Sequence, residues 1–512
     1  MKKKIIVAIL FIVLLTVLFF AGCRQPSDPG PEPPKIVAIG DSITMGTQDA
    51  GLTEDSQKHN YPYLIAQQVG AARDYQQPYL LSYSDGIGTP PYKKPFTLSG
   101  GTITATYWTP AELADPDAME QYIIEQFNPF SLILQRPYDN LGINGARLIN
   151  IRTTERSTEP QALQNYFFDI VLRNLLHDSE PLVPELGSVV EQAALLKPDY
   201  IMLWIGNNDI LHVVLNGGGV NESEFSGADP PTTAGDFATE YGLLLDDLKA
   251  ITDRIVMSSI PNYLPFVSAL DGIKKIVSGF GDEPVPCVFD PLTFEPVDFD
   301  DDDTEELYIP LLLEEAGAPH LLLSGAIMYM DLDEDDAIDS GLGIPDQAAL
   351  EAAPYNFSDS DAGDLVTAME GLGLSPGGLP LPGNFTLTAE EEVTAQGFID
   401  SYNSALSALS ISHDVPLVDI KSAWWDESGL TPFGGYSGLH ALQDKDNTTF
   451  SLDGVHPNNL GHALCANAFI DVLNSEYGLS IPQLNPDQYA GQYSSKSIQA
   501  EGLKALKRVI EF

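Results

Sequence analysis

Apolar residues along the chain fall into short continuous runs separated by longer stretches of mixed character. Residues 35–40 (KIVAIG) form one run and end at a glycine. Residues 199–205 (DYIMLWI) form a second, followed by Gly206, and residues 254–260 (RIVMSSI) a third, stopped by Pro261. Residues 415–420 (VPLVDI) form a fourth. Short runs with little polar alternation predict strands covered on both faces, the habit of a parallel sheet. Residues 61–69, 186–196, 234–250 and 390–411 predict helices between them, and residues 461–477 a last amphipathic helix. Strand alternating with helix predicts an α/β protein with a doubly wound sheet.

The first 34 residues follow another pattern. Lys2, Lys3 and Lys4 precede sixteen residues, 5–20, in which only Thr16 is polar, and Ala21-Gly22-Cys23 comes next. A basic start, an apolar stretch short for a bilayer span and small residues before a cut are the marks of a secretory signal. Cys23 directly after Ala-Gly resembles a bacterial lipobox, which implies that residues 1–22 are removed and that Cys23 carries lipid. Residues 23–34 then read as a Pro-rich tether. Residues 35–493 read as one domain with an insertion at about 264–399, and residues 494–512 as a C-terminal helical tail. The expected location is the bacterial cell envelope, lipid-anchored at the outer membrane or cell surface, or outside the cell by secretion. Near the start of the insertion, Phe266, Leu270, Ile273 and Val277 recur at helical spacing. They predict one apolar helix face, either a lid over an acyl-binding groove or a helix packed on the core.

Composition narrows the function. Of the 512 residues 44% are apolar, enough for a sizeable core, so the chain is not disordered despite a formal net charge of −48. With 73 Asp+Glu against 25 Lys+Arg, nucleic acid is not an expected partner, because phosphate binding needs cations. The same charge opposes electrostatic attachment to an anionic membrane surface. Three Cys exclude a disulfide scaffold. Cys287 and Cys465 could pair outside the cytoplasm or be two small buried residues. The acidity is concentrated: residues 276–420 hold 31 Asp+Glu and no Lys or Arg. Asp331, Asp333, Asp335 and Asp339 are spaced like the opening of a calcium loop. However, Asp336 stands where that loop needs glycine and Leu342 where it needs glutamate, so the run reads as a solvated acidic surface.

The chemistry sits in four short blocks. Gly40-Asp41-Ser42 closes the first strand, where ligands of open α/β sheets bind, so Ser42 is placed to be a nucleophile. A serine hydroxyl needs a base and an oxyanion site. Asp453-Gly-Val-His456 offers the base: a tight turn could aim the Asp453 carboxylate at one imidazole nitrogen and leave the other for the Ser42 proton. Taken singly, Ser42 could equally be a helix cap and His456 a surface or hydrogen-bonded histidine, as His462 is expected to be. The turn 140–146, which contains Gly145, could expose a backbone N–H, and Gly206-Asn207-Asn208-Asp209 could supply an amide donor to developing charge.

Together these blocks resemble the GDSL, or SGNH hydrolase, family, matched in order by Gly40-Asp41-Ser42, Gly145, Gly206-Asn207-Asn208-Asp209 and Asp453-x-x-His456. Ile43 stands where the family name expects Leu. The resemblance implies a flavodoxin-like three-layer α/β/α sandwich with a central parallel sheet and a Ser42 nucleophile. It also implies an oxyanion hole of the Ser42 N–H, the Gly145 N–H and the Asn208 side chain, with Asp453 and His456 as base pair. It implies hydrolysis of a small-molecule or lipid carboxylic ester through an acyl-enzyme, with no cofactor and no metal. Two alternatives remain: a carbohydrate O-acetyl esterase, and a non-catalytic envelope lipoprotein that keeps the fold and binds a ligand. A rival motif, Gly373-Leu-Ser375-Pro-Gly377, is followed by proline and a Gly/Pro cluster that cannot start a helix, so it reads as a loop.

Overall fold

The computed structural model describes residues 32–89, 92–99, 102–109, 112, 116–157, 165–174, 176–177, 180–181, 186–215, 232–261, 274–277, 285–288, 309–310, 312, 320–322, 343–352, 356–371, 376–380, 386–420, 449–451, 453 and 455–490.

All four apolar runs are strands of one sheet. β1 (Ile36–Gly40) is flanked by β2 (Asn140–Gly142) and β3 (Tyr200–Trp204). β4 (Ile255–Ser258) and β5 (Leu417–Val418) extend the β3 side. Every pairing is parallel, and the spatial order is β2-β1-β3-β4-β5. This is the flavodoxin-like order, whose ligand crevice lies where the winding reverses, between β1 and β3. Register aligns the three strand ends at that point: Gly40 pairs with Gly142 on one side and Trp204 on the other. Whatever follows these three residues therefore emerges at one level.

The sheet is covered by two sets of helices. α2 (Tyr61–Gln68) packs against α8 (Asn459–Tyr477), and α8 also touches β4 and β5. Strand alternation sends Tyr200 and Trp204 to this side, where Trp204 lies against Tyr61 and Phe469, and Tyr200 against Tyr477. The other set comprises α3 (Leu148–Thr153), α4 (Val189–Leu196), α6 (Ala234–Lys249) and α7 (Ala389–His413). Here Phe237 of α6 stacks on Tyr402 of α7 at 4.0 Å between ring centroids. Two shorter helices, the four-residue α1 (Ser42–Met45) and the nine-residue α5 (Asn207–Leu215), start at the strand ends. The architecture is a flavodoxin-like α/β/α sandwich, with the central parallel sheet between helical layers.

Glycine at the end of β1 is required by close approach. A Cβ on Gly40 would lie 2.1 Å from Thr44 Oγ1 and 2.3 Å from the Trp204 carbonyl oxygen. Only a residue without a side chain lets α1 fold back onto the strand that launched it.

Two expectations change. Lys274–Val277, read as part of an amphipathic helix, is a strand, paired antiparallel with Val285–Val288, which pairs in turn with Ile309–Pro310. Ile276 and Val277 are β-branched, and pairing across the ladder overrides a four-residue apolar spacing. The rest of that stretch, 262–273, lies outside the described residues, as do Cys23, the Asp331–Asp339 run, Ser375 and the tail 494–512. Cys465 is a free, buried thiol inside α8, so of the two readings of that residue the small buried one holds. β2 is the second change: the Gly-bearing turn begins as a three-residue edge strand.

Among the described residues no helix is long and apolar enough to cross a membrane.

Candidate active site

Ser42 opens α1 directly after β1 and is 6% exposed. Asp41 caps the helix, its Oδ1 accepting from the Ile43 N–H at 3.2 Å. Its Oδ2 accepts from Asn207 Nδ2 at 2.8 Å. Asp41 is wholly buried, and burial pushes it up to about 7 against the opposing pull of the Asn207 and Ile43 hydrogen bonds.

His456 arrives from the far end of the chain. Its segment doubles back on itself: the Ser451 N–H donates to the His456 carbonyl and the Asn458 N–H to the Thr449 carbonyl, both at 2.9 Å. Asn458 then caps α8 by accepting from the Gly461 N–H at 3.0 Å. The imidazole is thus hung between a narrow loop and a capped helix. Its Nε2 lies 2.8 Å from Ser42 Oγ and its Nδ1 2.8 Å from Asp453 Oδ2.

Asp453 is held on every side. Oδ1 accepts from the backbone N–H groups of Val455 and His456 and from the Ser451 hydroxyl, each at 2.9 Å. Oδ2 also accepts from the Ala50 N–H at 2.6 Å. Burial alone would raise this carboxyl, but the neighbouring His456 charge and these hydrogen bonds more than offset it and hold it at about 2. Sequence reasoning missed the partner that makes this possible. Gln48 and Gly51 exchange two backbone hydrogen bonds around Asp49 and Ala50, both left-handed at φ 56° and 55°. This is a type I′ hairpin turn, usually built from Asn and Gly. Its two N–H groups point the same way, Asp49 to Ser451 Oγ at 3.0 Å and Ala50 to Asp453.

The third block fastens the other two. Three successive residues at the start of α5 reach three different places. Asn207 binds Asp41; Asn208 Nδ2 donates to the Ala146 carbonyl at 2.8 Å; Asp209 Oδ2 accepts from the Leu148 N–H at 2.9 Å. Asp209 is buried, which pushes it up to about 6 against the Leu148 N–H and Arg147. Of these three only Asn208 was read from the sequence as functional. Polar residues whose job is to bind other loops carry no signal of their own.

Gly145 sits in the turn after β2 at φ +75°, a conformation that favours glycine. The turn is tied to β1 by the Ile143 N–H, which donates to the Gly40 carbonyl at 3.1 Å. Asn144 Nδ2 reaches Thr47 Oγ1 at 3.0 Å and Thr89 Oγ1 at 2.7 Å. The fold therefore brings Ser42, His456 and Asp453 into one hydrogen-bonded line, while Asn208, in the first turn of α5, is tied through the Ala146 carbonyl to the turn that holds Gly145. His462, six residues after His456, is buried in α8, where its Nδ1 accepts from the Tyr61 N–H at 3.3 Å. Burial, with His456 and His59 nearby, pushes it down to about 3, so it stays neutral and serves the core.

No curated protein and no solved structure matches this chain significantly. The family comparison is positive. It covers the first three blocks and stops short of Asp453 and His456, which the fold alone brings to Ser42. Residues 36–270 match the family model of GDSL-like Lipase/Acylhydrolase, and this match supports a hydrolase acting on esters.

Proposed function

We propose that the protein is a serine esterase in which Ser42 is the nucleophile, His456 the base and Asp453 the residue that orients the base. The observation that carries this reading is the unbroken line Asp453–His456–Ser42, with both links at 2.8 Å. Asp453 stays ionised at any ordinary pH and fixes the tautomer with the proton on Nδ1, leaving Nε2 free to accept. As Ser42 Oγ attacks the ester carbonyl, its proton passes to His456 Nε2. The carbonyl oxygen becomes an oxyanion, met by the N–H groups of Ser42 and Gly145 and by the Asn208 amide. Collapse expels the alcohol, which takes the proton back from Nε2, and leaves an acyl group on Ser42. Water then attacks that acyl group by the same route, assisted by His456, and frees the acid and the serine.

The sequence supports a site of action on the envelope, with Cys23 lipidated and residues 24–34 as a tether; the membrane is then an anchor, and ester, small or lipid, is the substrate. Two experiments test the reading. A fluorophosphonate probe labels Ser42 in the wild type and not in Ser42→Ala; no labelling of folded wild type would overturn it. A panel of nitrophenyl esters of rising chain length gives the acyl preference, an acetyl-only profile favouring the O-acetyl esterase alternative.

A further inference from the structure

The peptide that joins Asn144 to Gly145 carries, on the reading above, one of the oxyanion donors, the Gly145 N–H. Its other end, the Asn144 carbonyl, is held as well. Asn165 Nδ2 donates to that carbonyl at 2.6 Å. The orientation of the Asn165 amide is itself set, because its Oδ1 accepts from the Phe167 N–H at 3.0 Å. Phe167 opens the helix Phe167–Leu172, and Phe167 and Phe168 are fully buried. The Phe168 N–H bonds the Asn165 backbone carbonyl at 3.1 Å, and the Tyr166 hydroxyl donates to the Gly88 carbonyl at 3.0 Å. Asn165 is thus a short polar arm on an anchored base. Its Nδ2 also lies 2.9 Å from where a Cβ on Gly145 would stand, so it covers the back of the turn.

A hydrogen bond to a peptide carbonyl draws electron density away from the nitrogen of the same peptide and makes its N–H a stronger donor, the cooperative effect of hydrogen-bonded chains. We infer that Asn165 is a positioning residue for ester hydrolysis: its amide holds and polarises the Asn144–Gly145 peptide so that the Gly145 N–H is aimed at the oxyanion. The inference rests on the proposed oxyanion hole and adds to it a residue that touches neither substrate nor triad.

The test uses the full chain with nitrophenyl butyrate and a trifluoromethyl ketone, whose hemiketal with serine carries an oxyanion. Asn165→Asp keeps the acceptor for Phe167 but turns an oxygen toward the Asn144 carbonyl. Asn165→Ser, which is too short to reach that carbonyl, guards against an effect peculiar to the added charge or a failure of the first variant to fold. Both are expected to lower kcat about 10-fold with KM within about two-fold, less than the 10²–10³ of losing a direct donor. Both are also expected to weaken the ketone by a similar factor and leave the acid limb of the pH–rate profile in place. A merely structural residue would not single out the oxyanion-bearing inhibitor. Wild-type kcat and inhibition in folded Asn165→Ser, with Asn208→Ala strongly impaired, would overturn the inference and leave the proposed hole intact. If Asn208→Ala and Ser42→Ala are also unimpaired, the esterase reading falls and the inference with it.

Discussion

On the proposed mechanism Ser42 attacks the ester carbon and Asn208 meets the oxyanion, so their loss should read differently. Ser42→Ala removes the attacking atom, and turnover of a nitrophenyl ester is expected to fall about 10³-fold or more while the fold persists. Asn208→Ala is expected to lose about 10²–10³ in kcat with the acid limb of the rate profile unmoved, because an amide stabilises charge without titrating. A shifted acid limb in Asn208→Ala would refute its role. The two aspartates flanking these residues act on stability with opposite sign. Asp453, held at about 2, stabilises the fold above the ordinary aspartate value near 4, and that contribution is lost as pH falls from about 4 towards 2. Asp41, pushed up to about 7, favours the fold while protonated, and its contribution is lost as pH rises from about 4 through about 7. Asp41→Asn keeps an acceptor for Ile43, and a flip of the Asn207 amide, whose Nδ2 now faces Asp41, lets the buried Asn207 Oδ1 accept from the new amide. The variant is expected to flatten the fall of Tm between about pH 5 and pH 8 and to be the more stable protein at the upper end. Parallel Tm curves for the two proteins would refute this. At this scale the sequence is legible where a residue stands in a recognisable block, as at Ser42 and His456, which the fold brings to 2.8 Å from each other. It is silent where a side chain such as Asn207 or Asn165 only holds another loop.

Elements were readable in proportion to the length of their apolar runs. β1, β3 and β4 announce themselves because both faces are buried, so that every position is apolar or small. β2 is three residues long and begins with Asn140, whose amide donates to the Thr44 carbonyl at 2.8 Å, so it carries no hydrophobic signal. Residues 274–277 misled for the opposite reason: an apolar spacing of four fits a helix, but partners distant in sequence decide the matter. Two glycines test how tightly the elements fit. Gly40→Ala must push α1 away from β1 and β3, and is expected to cost about 3 kcal/mol or more in denaturant unfolding, with loss of activity. Gly397 lies on the exposed face of α7 with nothing within 4 Å of an added Cβ. Gly397→Ala is expected to stabilise by about 0.5–1 kcal/mol and leave activity alone. Equal effects at the two positions would contradict the close approach at Gly40.

Over the whole molecule, charge governs how the protein responds to its solution. Thirty-one carboxylates with no Lys or Arg between residues 276 and 420 repel one another when ionised, and a net −48 cannot be neutralised from elsewhere in the chain. Screening shortens from about 10 Å at 0.1 M salt to about 3 Å at 1 M. Tm is therefore expected to rise smoothly with NaCl, and millimolar calcium at constant ionic strength to add little. A Tm that ignores NaCl and drops in chelator would point instead to a bound metal. The line Asp453–His456–Ser42 has a consequence of another kind, because His456 and Ser42 stand 414 positions apart. Closing so long a separation costs loop-closure entropy before the contact rewards it. On the proposed triad, a chain growing from its N-terminus carries Ser42 through most of its synthesis with no His456 to act as its base. Hydrolysis by the proposed route can then begin only once the segment carrying Asp453 and His456 has been made and has packed against Ser42.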